Sequence, residues 1–325
     1  MRPARYLPGF LALAAAMFGS TAAGAERITL RVGYFPNITH AQGIIGSHGT
    51  RGNNGWFESR LGPDVTIQWF PFSAGPSAME AIFAGSIDLT YVGPNPALNA
   101  YIRSRGEEIR VLAGATLGGA ALVVPGDGRI ASAAQFKGGR IATPQLGNTQ
   151  DVAARAWLVK QGHRVTLTGG DVLVVPTANP DQLALFQQGK LDGVWTVEPW
   201  VARLELEAGG RVLVEQGDAV TTLLVARRKF LQAHPALVAR FKAAHLELTA
   251  WINGHPDEAR AQVRAGLSAE TKRELASAIV ASAWPRLKFS TELTQRQLEA
   301  LVADAQGVGF LRNAIPLDRL FSDQP

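Results

Sequence analysis

An alternation of strand, polar turn and helix along the first third of the chain restricts the fold more than any other feature. Strand-like apolar runs occupy 28–32, 65–70 and 87–92, and each ends in a polar turn before a helical segment begins. Runs of this kind, bounded by glycine, proline or asparagine, are typical of strands. Because repeated strand–helix units form mostly parallel sheets covered by helices, we predict an α/β protein.

The same alternation resumes beyond a glycine-rich stretch at 114–119. Further strands are predicted at 121–124, 140–143, 172–175, 191–197, 212–215 and 221–226. We expect the chain to cross from a first to a second α/β unit near Gly118 and to return near Gly217. The predicted segments are 26–116 for the first lobe, 117–217 for the second lobe, and 218–325 for the return to the first lobe and the C-terminal helices.

The N-terminus has the pattern of a cleaved secretory signal. Arg2 and Arg5 precede an apolar run at 7–18, which is short for a membrane span, and the small residues that follow end in Ala-Gly-Ala at 23–25. This combination is typical of a signal peptide. We predict that residues 1–25 are removed, that Glu26 becomes the first mature residue, and that the protein is located in the periplasm. A retained membrane anchor is the alternative.

Charge and cysteine content exclude several classes of function. Beyond residue 25 the chain has 30 basic and 27 acidic residues, and this balance of +3 is too small to favour nucleic acid as a partner. The absence of cysteine excludes disulfides, thiolate nucleophiles and a lipid-anchored cysteine. The six histidines show no metal-ligand spacing, and no catalytic motif is present. We therefore predict a monomeric binding protein without catalytic residues, metal or cofactor.

Five polar loops each follow a predicted strand and precede a predicted helix: 33–42, 72–76, 93–95, 147–149 and 198–200. The carboxyl ends of parallel strands meet at one edge of a sheet, where ligands of α/β proteins bind. Helix N-termini there offer unpaired N–H groups and a partial positive charge, so an anion needs no arginine. The alternative is that the Asn, Ser and Thr residues are only helix caps, with Thr39 as one of them. Because five such loops occur in two units, we favour an anion site.

Four stretches in and around these loops resemble one known family. They are GYFPNITHAQ at 33–42, FSAGPSAMEA with GSIDL at 72–89, GNTQD at 147–151 and WTVEPW at 195–200. In this order they resemble the periplasmic substrate-binding proteins of nitrate, taurine and aliphatic-sulfonate import systems. The resemblance implies a two-lobed periplasmic-binding-protein fold of type II, with a mostly parallel sheet flanked by helices in each lobe. It also implies delivery of a small anionic ligand to an inner-membrane ABC permease with a cytoplasmic ATPase.

Carried over by position, the resemblance implies ten ligand-binding residues: Phe35, Asn37, His40, Gln42, Asn95, Gly147, Asn148, Thr149, Glu198 and Trp200. His40 is expected to donate a hydrogen bond to an anion, more strongly when it is protonated. Phe35 and Trp200 suit the apolar body of an organic ligand, although a tryptophan at a strand end is often core. Glu198 repels a simple anion, so it either pairs with an amine on the ligand or braces the hinge. We favour bracing.

The ligand implied by the resemblance is a small organic anion. We favour an aliphatic sulfonate, because the loops combine backbone donors with aromatic residues. Nitrate, bicarbonate or another small anion is the alternative within the family. A periplasmic sensor that uses the same pocket, and an enzyme similar to the desulfinase of the same fold, are alternatives from other classes. That desulfinase depends on a cysteine, which this chain lacks.

Overall fold

The computed structural model describes Met1 and residues 27–321. The remainder of the predicted signal peptide and its cleavage site lie outside the described residues. The strands are β1 (Ile28–Tyr34), β2 (Val65–Pro71), β3 (Leu89–Val92), β4 (Ile109–Gly118), β5 (Ala120–Pro125), β6 (Arg140–Thr143), β7 (Leu173–Pro176), β8 (Gly193–Val197), β9 (Gly210–Glu215), β10 (Val220–Arg227) and β11 (Leu287–Phe289).

Helices follow most of the strands, as the alternation predicts. They are α1 (Ala41–Arg51), α2 (Glu58–Leu61), α3 (Gly75–Phe83), α4 (Pro94–Arg103), α5 (Thr149–Lys160), α6 (Asn179–Gln187), α7 (Trp200–Ala208), α8 (Arg228–Ala233), α9 (Pro235–Gly254), α10 (Pro256–Thr271), α11 (Ser277–Ala283) and α12 (Gln295–Gly307). Short 3-10 helices cover Ile38–His40, Ala133–Phe136, Trp284–Arg286 and Asp318–Leu320. Within residues 27–321, no helix is long and apolar enough to span a membrane.

The strands form two sheets, and each sheet defines a lobe. The sheet of lobe 1 has the strand order β11-β4-β10-β3-β1-β2, and that of lobe 2 has the order β7-β6-β8-β5-β9. Strand β4 leads into β5 through Gly119 alone, and β9 leads back to β10 through residues 216–219. The chain therefore crosses twice between the lobes.

The α/β class is confirmed, but both sheets are mixed rather than mostly parallel. In lobe 1, β1 is parallel to β2 and β3, whereas β10 is antiparallel to β3 and β4. In lobe 2, β6 is parallel to β7 and β8, whereas β5 is antiparallel to β8 and β9. The reversed strands β5 and β10 are those that enter a lobe from the other lobe. They start at the edge where their neighbours end, so they run in the opposite direction.

The first loop differs locally from the prediction. Strand β1 continues to Tyr34, and Asn37 is extended, with a φ of −128°, before the 3-10 helix starts. Thr39 lies inside that 3-10 helix, so its prediction as an N-cap is wrong. The carbonyl oxygen of Thr39 instead accepts a hydrogen bond from Thr116 Oγ1 at 2.7 Å, which fixes the loop to β4.

Both faces of each sheet are covered, which explains why the central strands are apolar throughout. All four residues of β3 and all five of β8 are buried. On one face of lobe 1, Phe57 stacks on Phe241 of α9 with ring centroids 4.4 Å apart. Burying one such side chain stabilises the fold by about 1.5–3 kcal/mol.

Helix α12 packs against both lobes. Thr294 and Gln297 form a capping box that starts the helix. Its apolar side chains share one buried cluster with side chains of α4 in lobe 1 and α5 in lobe 2: Leu298, Val302 and Ala305 with Leu98, Val152 and Ala156. Helix α12 therefore lies beside two helices that begin at the boundary between the lobes.

Candidate functional site

A cleft between the lobes is the candidate site. It lies at the carboxyl ends of β1, β2 and β3 in lobe 1 and of β6, β7 and β8 in lobe 2, as the parallel units predict. Its lining comprises Phe35, Asn37, Thr39, His40, Ser73, Ala74, Gly75, Gly93, Pro96, Pro144, Asn148, Thr149, Gln150, Asn179, Val197 and Thr221. None of these described lining residues is a lysine, arginine, aspartate or glutamate. The described residues also contain no group of three side chains suited to bind a metal ion.

Four helix N-termini converge on this uncharged cleft. Gly75 opens α3, Gly93 precedes α4, Thr149 opens α5 and Asn179 opens α6. The first N–H groups of a helix have no acceptor within the helix, and the helix dipole places a partial positive charge there. Helix α4 contributes only its dipole, because Pro94 and Pro96 carry no N–H group and the N–H of Asn95 lies 3.4 Å from Thr149 Oγ1. The cleft can therefore bind a small anion without an arginine or lysine.

Five of the ten predicted site residues line the cleft: Phe35, Asn37, His40, Asn148 and Thr149. The other five do not: Gln42, Asn95, Gly147, Glu198 and Trp200. Four of these five form hydrogen bonds elsewhere, whereas the side chain of Asn95 has no partner within the described residues.

Gln42 points into the core of lobe 1. Its Nε2 donates to the carbonyl oxygen of Ala115 at 3.0 Å and to Thr249 Oγ1 at 3.1 Å. Gln42 is the second residue of α1, so its side chain faces the covering helix α9 rather than the cleft. Its role is to satisfy buried polar groups between α9 and β4.

The side chain of Glu198 is engaged at the junction of the lobes and does not line the cleft. Its side chain is fully buried, its Oε1 accepts from Arg286 Nη1 at 2.8 Å, and its Oε2 accepts from the N–H of Ala202 at 3.1 Å. Burial raises the pKa of Glu198 to about 7, although the Ala202 N–H and Arg286 act to lower it. Because both carboxylate oxygens are engaged, the alternative pairing with an amine on the ligand is not supported.

Trp200, Asn95 and Gly147 lie beside the cleft without lining it. Trp200 Nε1 donates to Asn37 Oδ1 at 3.1 Å, which joins the two lobes. Asn95 is buried between two lining residues, and neither polar atom of its side chain has a partner within residues 27–321. Gly147 adopts a φ of +77°, and its N–H donates to Asp151 Oδ2 at 2.9 Å. Glycine takes this left-handed conformation without strain.

His40 lines the cleft as a neutral ring. Burial lowers the pKa of His40 to about 3, so the stronger, protonated form of the predicted donor is not populated at neutral pH. The ring stacks on Phe35 with centroids 4.3 Å apart. Its buried Nδ1 has no hydrogen-bond partner within the described chain. A neutral imidazole still donates one hydrogen bond, so His40 remains a candidate ligand contact.

Asn148 both caps a helix and lines the cleft, the two roles between which the sequence did not decide. Its Oδ1 accepts from the N–H of Asp151 at 2.8 Å and caps α5. Its Nδ2 lies 3.2 Å from Gln150 Oε1. Capping fixes the side chain at the helix start, which is also the edge of the cleft.

Sequence reasoning did not select Gln150, Asn179 or Thr221. Gln150 and Asn179 stand near the start of a helix that follows a strand, so the rule used for the other loops applied to them as well. Thr221 lies on β10, which reaches the cleft only because the chain returns from lobe 2. No local sequence signal indicates that return.

The lobes are in contact across the cleft. The N–H of Ile38 donates to the carbonyl oxygen of Glu198 at 2.9 Å, and the N–H of Asn95 lies 3.4 Å from Thr149 Oγ1. The volume of the cleft is only about 30 Å³. Binding sites for small molecules usually enclose about 300–1,000 Å³. We therefore expect the lobes to move apart before an organic anion enters.

A second groove is larger, with a volume of about 830 Å³, and lies between the end of α4 and the segment 309–319. Four arginines contribute to its lining: Arg103, Arg105, Arg312 and Arg319. It includes the C-terminal end of α4, where the helix dipole is unfavourable for an anion. We assign the candidate site to the smaller cleft because helix N-termini from both lobes meet there.

His245, in the polar network beside Gln42, predicts a loss of stability in acid. Its Nε2 lies 2.8 Å from the carbonyl oxygen of Gly114, so Nε2 carries the proton and Nδ1 accepts from Tyr91 at 3.1 Å. Burial lowers the pKa of His245 to about 4, although the Gly114 carbonyl acts to raise it. Because the pKa of unfolded histidine is about 6.5, this contribution to stability is complete above that pH. It is lost as the pH falls towards 4.

We expect His245→Gln to lose less stability than the wild type between about pH 7 and pH 5. Glu198 acts in the opposite sense over this range, because its raised pKa favours the folded state as it becomes protonated. Glu198 is present in both proteins, so the difference between them isolates His245. Urea denaturation at both pH values is the measurement. Equal losses in the two proteins would contradict the assignment.

The two-lobed architecture and the cleft at the strand ends are those of the periplasmic-binding-protein fold. The alkanesulfonate-binding protein of Xanthomonas axonopodis pv. citri, solved bound to MOPS, matches with a TM-score of 0.69 and 22% sequence identity over 87% of this chain and 92% of that protein. The nitrate-binding protein of Synechocystis PCC 6803 matches with a TM-score of 0.70 and 14% identity over 91% and 84%. These matches confirm the fold.

Residues 23–268 match the model of the NMT1-like family, and the chain belongs to this family. The taurine-binding periplasmic protein of Escherichia coli K12 is 26% identical over 202 residues, which are 59% of this chain and 59% of that relative. The match thus spans less than two thirds of that relative. The resemblance found in the loops is confirmed at the level of the family.

Proposed function

We propose that this protein is the periplasmic solute-binding component of an ABC importer. It captures a small organic anion between its lobes and delivers it, as a monomer, to an inner-membrane permease with a cytoplasmic ATPase. One observation carries the proposal: helix N-termini from both lobes meet in a cleft whose described lining is uncharged. The names of its relatives, which include taurine-binding and alkanesulfonate-binding proteins, support it.

The lining favours an aliphatic sulfonate over nitrate. Apolar side chains of Phe35, Pro96 and Val197 stand beside the polar ones, and they suit an alkyl tail. The lining also favours a sulfonate without an amine, because no carboxylate of the described residues faces the cleft to pair with an ammonium group. Glu198, for which pairing with an amine was the alternative to bracing, is paired with Arg286.

A screen of matched anions tests the proposal. Ethanesulfonate and taurine differ only by the amine, and nitrate and bicarbonate lack the alkyl group. We expect ethanesulfonate to raise the melting temperature most, taurine less, and the inorganic anions least. Recovery of the unchanged sulfonate would confirm binding without turnover. Failure of every anion to bind would contradict the proposal. Stabilisation by nitrate alone would indicate that the ligand is an inorganic anion rather than a sulfonate.

Replacing Asn148 with Asp should weaken ethanesulfonate binding by about tenfold or more, because a charge-assisted hydrogen bond contributes about 1.5–3 kcal/mol. Aspartate is as good an N-cap as asparagine, so α5 retains its cap while the cleft gains a negative charge. Calorimetric titration measures the effect, and Asn148→Ser, a neutral cap, is the matched control. Wild-type affinity in Asn148→Asp would place the anion elsewhere.

A further inference from the structure

A buried ion pair lies beneath the lobe 2 side of the cleft. Asp151 and Arg155 stand one turn apart on α5, with side chains 0% and 1% exposed. The Nε of Arg155 lies 3.2 Å from each carboxylate oxygen of Asp151. The guanidinium also donates to the carbonyl oxygens of Thr166, at 2.5 Å, and Val174, at 3.2 Å. Both charges are therefore held away from water.

The carboxylate of Asp151 connects three elements around the site. It accepts from Thr143 Oγ1 at the end of β6 at 2.9 Å, and from the N–H of Gly147 in the loop at 2.9 Å. It belongs to the first turn of α5, whose first two residues, Thr149 and Gln150, line the cleft. Asp151 thus fixes the loop from which α5 starts.

The position of Asp151 creates an electrostatic conflict. A carboxylate in the first turn of a helix and an anion at the same N-terminus are both attracted by the helix dipole, and they repel each other. Little water is present to screen that repulsion, because Asp151 is fully buried. An anion is held there only if the carboxylate is neutralised.

We propose that Arg155 sets the affinity of the cleft for anions by neutralising Asp151. Arg155 does not line the cleft, so it is a positioning residue that acts through Asp151. The inference rests on the proposed function, since it concerns the same site. It assigns opposite effects to the two members of the ion pair.

The order of four affinities for ethanesulfonate tests this role. Arg155→Gln leaves the negative charge of Asp151 without compensation, and we expect binding to weaken by about tenfold or more. Asp151→Asn leaves a positive charge, and binding should strengthen by about threefold or more. The double variant removes both charges and should return to within about threefold of the wild type.

A purely structural role predicts a different order, because each change then loosens the loop and the double variant binds most weakly. Arg260→Gln is the control: Arg260 and Asp257 form an exposed pair three residues apart on α10, and its loss should leave binding unchanged. Thermal unfolding of every variant shows whether it is folded. If Arg155→Gln does not fold, Asp151→Asn still tests the proposal. Weaker binding in Asp151→Asn than in the wild type overturns it.

The two hypotheses fail in different ways. If wild-type protein binds none of the tested anions, the proposed function itself is wrong. If the wild type binds ethanesulfonate but the affinities do not follow the expected order, only the role of Arg155 is wrong.

Discussion

Replacing Arg286 with methionine is expected to lower the free energy of unfolding by about 3–5 kcal/mol, because it leaves a buried carboxylate without its counter-ion. The fully buried Glu198 lies 2.8 Å from Arg286 Nη1, and Glu205 lies 2.6 Å from Nη2. The backbone oxygen of Arg286 also accepts from the N–H of Gly119 at 2.8 Å, at the crossover between β4 and β5. Arg286 therefore ties the C-terminal segment to lobe 2 and to the crossover.

The loss of stability in Arg286→Met should depend on pH. Burial raises the pKa of Glu198 to about 7 in the wild type, and removal of Arg286 eliminates one of the groups that lower it. Protonation relieves the uncompensated charge, so the difference from the wild type should be largest near pH 8 and should shrink towards about pH 5. Urea denaturation at both pH values measures it.

A neighbouring exposed ion pair provides the control for Arg286. Lys288 and Asp218 lie 2.5 Å apart, and their side chains are 59% and 86% exposed. Exposed pairs of this kind contribute about 0–1 kcal/mol, so Lys288→Met should change stability little. If Arg286→Met is as stable as the wild type near pH 8, Glu198 does not depend on this partner.

Replacing Gly93 with alanine is expected to weaken ethanesulfonate binding by about a hundredfold or more, because closure of the lobes is blocked. A Cβ at Gly93 would lie 2.4 Å from Thr149 Oγ1 in the other lobe. The φ of Gly93 is −66°, which alanine adopts freely, so lobe 1 itself is not strained. An open protein holds the anion from one lobe only. Loss of two charge-assisted hydrogen bonds, at about 1.5–3 kcal/mol each, accounts for the size of the effect.

A second substitution tests whether the clash is the cause. Thr149→Ala removes the opposing hydroxyl, so the double variant Gly93→Ala with Thr149→Ala should bind more tightly than Gly93→Ala alone. Small-angle scattering with saturating ethanesulfonate should show a compact wild type and double variant but a more extended Gly93→Ala protein. A compact Gly93→Ala protein with normal affinity would show that the lobes close without this contact.

The candidate site was predictable where a local rule applied. Phe35, Asn37, His40, Asn148 and Thr149 each follow a strand and precede or open a helix, and they line the cleft. The same rule failed for Gln42 because position within a helix sets the direction of a side chain. A helix turns by about 100° per residue, so only packing decides which face of α1 meets the cleft.

Glu198 shows a second limit of the sequence. A carboxylate in a binding loop can either contact the ligand or brace the fold, and its role depends on a partner 88 residues further along the chain. Arg286 reaches Glu198 only because the C-terminal segment returns to the crossover. No spacing within the sequence indicates that pairing.

The sequence by itself determined the α/β class, the position of the strand–helix loops and the family, because these depend on local periodicity, turn residues and short motifs. Tertiary structure alone decided the reversal of β5 and β10, the contact of α12 with both lobes, and the roles of Glu198 and Asp151. These features depend on which distant segments meet, and on the charge and burial that result. Contacts between distant segments are determined by the path of the whole chain and not by the sequence of any single stretch.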